Sequence, residues 1–444
     1  MLDAMDLSRI LRCALAEGGE FADIYFEEGS STAIVCEDGK IEKIVAGTDR
    51  GVGIRVISDL RTAYAYTNEL TEKALLELAR TVSRAVRGKE FGGAIDLRAK
   101  TVGAGFPIKV SPAEVSLQDK VALVRRADEA ARRMDQRVRQ ALAVYRDGRV
   151  RTQIANSLGD FVETARTGTV FLTQVVAADG DIIQTGYEPV GGFRGFELFE
   201  ETSPEEVARA AAGRALMMLS ARKAPAGAMP VVISSEAGGT MVHEAIGHGL
   251  EADLAQAGMS VYTGKVGTQV ASPLVTVVDD ATIPHARGSY SHDDEGVPAQ
   301  KTVPVENGIL KCYLYDRLSA MKDGCASTGN GRRESYHAKP IVRMSNTLIA
   351  PGESSPESIV GEVQQGLFVK KMGGGQVNTV TGDFVFEVSE GYLIRNGEVC
   401  EPVRGATLTG NGPEVLKKVT KIGNDLGFGK IGRASCRERV FRTV

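Results

Sequence analysis

The sequence predicts an α+β protein, with an N-terminal α/β-type region followed by a β-rich C-terminal domain that carries a histidine-bearing helix near its start. Three observations lead there. Short β-type runs alternate with amphipathic helical stretches over the first half of the chain. Glycine is abundant at 51 residues while tryptophan is absent, a composition that leans toward turn-rich β structure. After "KAPAGAMP" (223–230), the best linker candidate, the character changes to a strand-like run (VVISS), a short helix and then Gly-rich β-type sequence.

Residues 6–17 (DLSRILRCALAE) place apolar side chains at helical spacing. The runs ADIYFEE, STAIVCE, KIEKIVA, GVGIRVI and TAYAYT follow as strands, and "EDGK" at 37–40 is a hairpin turn signal between two of them. Residues 71–87 form an amphipathic helix. "GAGFPIKVSP" leads to a long helix over 115–139, strands run through 142–190, and 203–222 closes this half as a helix. Ser203 and Glu206 there have capping-box spacing. The expected division is an N-terminal α+β domain at 1–103, a central α+β domain packed with it at 104–222, and a C-terminal domain at 223–430. "GGGQ" at 373–376 lacks the lysine and the strand–helix setting of a phosphate loop and reads as a turn.

A chain of 444 residues is long enough for two or three domains, each with its own core. The net charge of −4 argues against a nucleic-acid partner, because phosphate binding calls for a basic surface. No apolar run approaches the ~20 residues that span a bilayer, and the N-terminus lacks the basic and apolar regions of a signal peptide. A soluble, cytoplasmic protein without a membrane or nucleic-acid partner is expected. The six cysteines (Cys13, Cys36, Cys312, Cys325, Cys400, Cys436) form no CxxC pair and read as free thiols, mostly core fillers.

Two of the five histidines fall in "MVHEAIGHGLEAD" (241–253). A zinc hydrolase needs imidazole ligands, an open position for water and a carboxylate to take that water's proton. HExxH motifs set two ligands on one helix face by a four-residue spacing. His243 and His248 are five apart, and on an ideal α-helix they would diverge by about 140°. They share a metal only where the helix ends or widens between them. Gly247 and Gly249 allow the backbone to leave α geometry, and a π-bulge would bring i and i+5 to one side. Glu244 then lies beside the metal as a general base. The bland alternative has both histidines packing a Gly-rich helix end, with Glu244 a solvated charge. His292 with Asp293 and Asp294 could support the site or form a second one, but this acidic turn reads first as a loop. His285 and His337 default to surface or packing roles; Arg332 and Arg333 are candidates for substrate or structural anion contacts, with surface salt bridging the first reading. No G-x-S-x-G elbow supports a serine hydrolase.

The blocks "HEAIGHGLEAD", "GSYSHDDEG", "GRRESYHAKPIVRMSNTLIAPG", "GDFVFEVSEGYLIRNG" and "PVRGATLTGNGPEVL" occur in an order that resembles TldD-type metallopeptidases of the TldD/PmbA family, over about residues 8–430. The resemblance implies one zinc ion per active site, with His243 and His248 as ligands, Glu244 as general base, and a third ligand from a cysteine near the C-terminus in a Cys-Gly-Lys context. It implies short or unfolded peptides as substrates, entering an enclosed cavity and adding to a sheet edge. It also implies a dimer, either with a PmbA-type paralogue that lacks the zinc motif or with a second copy. Two other readings stay open: a non-catalytic subunit of a peptide-binding complex, and a metal-dependent hydrolase of another substrate.

After Lys430 the resemblance stops. "IGRASCRERV" (431–440) reads as the translation of a common sequencing adapter, so 431–444 is expected to be a non-native tail. The natural chain is expected to continue differently, with the family's cysteine ligand lost from this sequence. Cys436 falls close to that position but lacks its neighbours, and is not assigned as a ligand. Sequencing the source locus across codon 430 checks this: genomic sequence is expected to depart from IGRASCRERV at that point.

Overall fold

A computed structural model of the chain describes Leu2, residues 5–86, Gly88, and residues 91–427 and 441–442. Among these, two seven-stranded sheets dominate, accompanied by one sheet of four strands and one of two. The chain opens with helix α1 (Leu7–Ala14), where the Asp6 carboxylate accepts from the Arg9 N–H as N-cap. Strands β1 (Phe21–Glu37), β2 (Lys40–Ser58) and β3 (Arg61–Thr67) follow. The EDGK turn forms as expected: Glu37 pairs with Lys40, and Asp38 and Gly39 take the positive φ that a tight hairpin needs.

Helix α2 (Glu72–Arg84) buries Leu75, Leu76, Ala79 and Val82. A two-residue strand, β4 (Thr101–Val102), precedes α3 (Leu117–Arg132). Helix α3 ends short of the expected 139, because the Asp135 carboxylate accepts the Arg137 backbone N–H at 2.8 Å and turns the chain into β5 (Val138–Asn156). Strands β6 (Phe161–Asp179) and β7 (Ile182–Gly192), the short α4 (Leu198–Glu201) and α5 (Pro204–Ser220) complete this half. Ser203 and Glu206 form the expected capping box.

These elements share one sheet in the order β3-β2-β1-β5-β6-β4, with β7 also on β6. Strands β1 and β5 pair antiparallel from Asp23↔Asn156 to Glu37↔Leu142, which makes the two N-terminal stretches continuous. Burial splits along the strands. Ala22, Ile24 and Phe26 pack with α1 and α2, whereas Ile34 and Cys36 pack with α3 and α5, so one sheet carries two cores.

The C-terminal half begins with β8 (Arg222–Lys223), β9 (Pro230–Ile233) and α6 (Ser235–Val242). Past the turns at 243–250 come α7 (Ala252–Gln256), β10 (Val277–Asp280), β11 (Lys301–Glu306), β12 (Ile309–Leu310) and α8 (Arg317–Asp323). Then follow β13 (Gly331–Arg332), β14 (Ile341–Val342), β15 (Thr347–Ile349), α9 (Pro356–Gly361), β16 (Gln365–Val377) and β17 (Asp383–Arg395). The last elements are β18 (Glu398–Arg404), β19 (Thr407–Asn411), α10 (Gly412–Lys417) and β20 (Phe441–Arg442). The second large sheet runs β20-β9-β16-β17-β18-β8, with β19 on β17. "GGGQ" is not a free turn but part of β16, which is bulged there. A Cβ on Gly375 would meet the Phe386 ring at 2.0 Å, so glycine is what lets that ring cross the strand. Among the described residues, no helix is long and apolar enough to cross a membrane.

Two buried ion networks join the halves. Arg55 on β2 donates from Nε to Asp23 at 2.9 Å and from Nη1 to Glu295 at 2.7 Å, while Arg333 Nη2 donates to Asp23 at 3.0 Å. Arg332 Nε reaches Asp294 at 3.1 Å. This corrects the sequence expectation of an acidic loop and two surface arginines: Asp293, Asp294, Glu295 and Arg333 are all buried. The physical reason is mutual. A charge inside the protein is tolerated only with its partners, so Arg55 in the sheet draws Glu295 in with it. Burial alone would push the Asp294 carboxyl up, yet the Arg332 and Arg166 charges hold it below the ordinary carboxylate range.

In the second network, Arg214 on α5 donates to Glu390 at 2.7 Å and to Glu188 at 2.8 Å, and Lys370 adds to Glu390 at 2.7 Å. Burial raises the Glu390 pKa, but hydrogen bonds from Arg214, Lys370 and Tyr392 outweigh it and pull the value from 4.5 to about 2. A carboxylate depressed on folding contributes stability that is complete above its unfolded pKa and is lost as pH falls through the folded one. Denaturant melts between pH 4.5 and 2 are therefore expected to lose stability less steeply in Glu390→Gln than in the parent. An equal slope in the two proteins would contradict this.

Candidate metal centre

The site grows out of α6. Ser234 caps it by accepting from the Ala237 N–H, and Ala237, Met241 and Val242 turn one face into the C-terminal core. Ala245, Ile246 and Leu250 carry that buried face onward. Between them the helix widens as the five-residue spacing requires. His243–Gly247 is a π-helical turn closed by the His248 N–H on the His243 carbonyl, and His248–Leu250 is a 3₁₀ turn. The wider turn brings i+5 back over i. The His243 and His248 rings lie 4.7 Å apart between centroids, their planes at 77°.

The ligand-capable atoms of His243, Glu244 and His248 all fall within 4.8 Å of one another, and the described residues hold no other group of three such side chains. All three residues are partly exposed while their helix neighbours are buried, so the donors face away from the core. His248 Nε2 stands 4.0 Å from Glu244 Oε2. Glycines let other chain segments approach this turn. A Cβ on Gly247 would lie 2.0 Å from Met344 Sδ, and one on Gly412 would lie 2.4 Å from the Ala245 carbonyl oxygen.

Two residues that the sequence reading missed complete the surroundings. His248 Nδ1 is 3.1 Å from Glu251 Oε2, and Arg343 Nη1 contacts both Glu251 oxygens at 3.2 Å. Glu251 is buried at 1% exposure. The available signal was its place three residues after His248 in "HGLE", one turn further along the chain. Burial, and then the Glu251 charge, push the nearby Asp253 carboxyl above its ordinary value.

The residues present fit zinc, which takes imidazole nitrogens and carboxylate oxygens. The contact with Glu251 occupies Nδ1 of His248 and leaves Nε2 on the side of His243 and Glu244.

The other candidates lie outside this cluster. His292 is lowered in pKa by burial, and Asp293 accepts the backbone N–H groups of Glu295, Val297 and Gly331 instead of joining it. His285 Nδ1 sits 2.9 Å from the Phe193 carbonyl, and His337 stacks on Tyr336. Of the described cysteines only Cys36 is buried; Cys13, Cys312 and Cys400 are partly exposed and Cys325 is exposed, so most are not core fillers. Cys436 lies outside the described residues.

Three family models match the chain: PmbA/TldA metallopeptidase domain 1 at residues 22–88, the central domain at 110–219 and the C-terminal domain at 226–440. The chain belongs to the TldD/PmbA metallopeptidase family. It is 37% identical to a metalloprotease TldD homolog of Haemophilus influenzae over 93% of this chain and 88% of that protein. It is 36% identical to a metalloprotease of Methanocaldococcus jannaschii over 94% and 93%. A zinc metalloprotease TldD homolog of Saccharolobus solfataricus is 27% identical over 93% and 90%. Among solved structures, a Thermotoga maritima protein named as a candidate modulator of a DNA gyrase superposes with a TM-score of 0.81, at 26% identity and 99% coverage of both chains. TldE from Thermococcus kodakarensis, at 19% identity and a TM-score of 0.78, shares the fold.

The close approach of Gly412 to Ala245 makes the TldD-type turn sensitive to one methyl group. Gly412→Ala forces backbone apart and is expected to cost about 1–3 kcal/mol of stability and to weaken any metal binding at the His243–His248 pair. Thermal melts and zinc titration check both effects, and a variant matching the parent in each would show that the π-turn does not depend on this contact.

Proposed function

We propose that this chain is a zinc-dependent peptidase hydrolysing short or unfolded peptides, in which His243 and His248 hold the metal and Glu244 is the general base. The observation that carries the reading is the π-turn, which gathers three donor side chains that an α-helix would have pointed apart. The naming of relatives as metalloproteases, one of them a zinc metalloprotease, supports it.

Zinc, when bound, would supply Lewis-acid polarisation of the scissile carbonyl and a water acidic enough to lose its proton near neutral pH. Glu244 is next in chain to one ligand and 4.0 Å from the imidazole of the other. On this reading its carboxylate would take a proton at Oε2 and return it to the leaving amine nitrogen. The side chain is 15% exposed, shielded yet reachable from outside. The third ligand of the natural enzyme would be a cysteine beyond Lys430. Extended substrates would be held through their main chain by pairing with a sheet edge, which tolerates many side chains. The working unit would be a cytoplasmic dimer with a PmbA-type paralogue or with a second copy.

Glu244→Gln is expected to lower cleavage of an unstructured peptide by about 10²–10⁴-fold while zinc per chain stays at the parental level. Full activity in this variant would refute the base role, and parental cleavage that survives a chelator would refute the metal.

A further inference from the structure

We propose that Glu251, held by Arg343, is the positioning residue that fixes the tautomer and orientation of His248, so that Nε2 presents its lone pair toward His243 and Glu244. The inference rests on the zinc reading above for its purpose, but not for its geometry.

A carboxylate only accepts hydrogen bonds, so the ring nitrogen facing it must carry the proton. Glu251 Oε2 faces Nδ1 of His248 at 3.1 Å. The neutral ring then has its proton on Nδ1 and its lone pair on Nε2, the nitrogen 4.0 Å from Glu244. A carboxylate in this position also makes the imidazole a stronger donor to a metal than a carbonyl would.

Glu251 cannot be read as a third ligand. It approaches the far nitrogen of the ring and falls outside the group of converging donors.

The placement of Glu251 is built into the backbone. Its N–H donates to the His248 carbonyl at 3.3 Å, closing the 3₁₀ turn, and the next residue's N–H donates to the Leu314 carbonyl at 2.9 Å, so the backbone on both sides of Glu251 is held. A carboxylate at 1% exposure would be unstable alone, and Arg343 Nη1 supplies the counter-charge by bridging both oxygens at 3.2 Å. Arg343 acts through Glu251, and Glu251 through His248.

Two measurements on the full chain test this. In the metal-free protein, nitrogen-15 correlation spectra of the imidazoles are expected to show His248 protonated at Nδ1. Glu251→Ala is expected to move the proton largely to Nε2, while Glu251→Gln, whose amide oxygen still accepts, retains the parental tautomer. In chelator competition, Glu251→Ala is expected to bind zinc about 10–100-fold more weakly than the parent, with Glu251→Gln in between. A parent protonated at Nε2, or a Glu251→Ala chain with parental tautomer and parental zinc affinity, would overturn the proposal. Should Glu251→Ala fail to fold, the parental tautomer together with Arg343→Ala decides. Arg343→Ala is expected to weaken zinc binding as well, and parental affinity there would remove Arg343 from the chain of support. A parent that takes up no zinc would count against the peptidase reading alone, since the tautomer is read without metal.

Discussion

The candidate metal centre depends on one backbone hydrogen bond, from the His248 N–H to the His243 carbonyl. Closing the ring over five residues instead of four adds a residue to the turn and rotates His248 back into line with His243. Without it the same side chains would diverge by about 140° and share nothing. The bond survives because its surroundings accommodate the wider turn. Ala245 and Ile246 stay in the core, Gly247 gives way to Met344, and Gly412 allows the segment entering α10 to lie against the Ala245 carbonyl. A π-turn is less favourable than α-helix in isolation, and its persistence here is a property of the packing around it.

The same logic of compensated cost governs the junction between the halves. Arg55, Asp23, Glu295 and Arg333 are charged and almost fully buried, a combination stable only as a set. Asp23 and Arg55 come from the N-terminal sheet, Glu295 and Arg333 from the C-terminal half. Each half would otherwise bury unpaired charge, so the network selects one docking of the halves over others. Arg214 between Glu188 and Glu390 does likewise for α5 and the second sheet. Beside the candidate metal centre the buried Glu251 is paired with Arg343, whose side chain is half exposed.

Local signals in the sequence match the structure where their cause is local. The EDGK hairpin follows from backbone conformations that Asp38 and Gly39 tolerate, and the Ser203–Glu206 cap from four consecutive residues. The helical pattern of α3 ran past its true end, because pairing of β5 in the sheet outcompetes helix beyond Asp135. "GGGQ" reads as a turn because it lacks the lysine and the setting of a phosphate loop, whereas in β16 the absence of a side chain at Gly375 makes room for Phe386. Asp293 and Asp294 read as an acidic loop and Arg332 and Arg333 first as surface salt bridges, since sequence does not reveal that the partner of Glu295 is an arginine 240 positions earlier.

The sequence by itself determined the α+β class and the need for a distorted helix at Gly247, and it singled out His243 and His248 as candidate ligands with Glu244 beside them. These follow from period, spacing and the chemistry of imidazole and carboxylate. Only the tertiary structure decided which way the His248 ring presents its nitrogens, because that depends on Glu251 and on Arg343, which lies 92 positions further along the chain. It also decided that the acidic turn at 293–295 is an interior junction. Both are settled by charges that meet only after the chain has folded, and the energy of a buried charge is fixed by its partners in space.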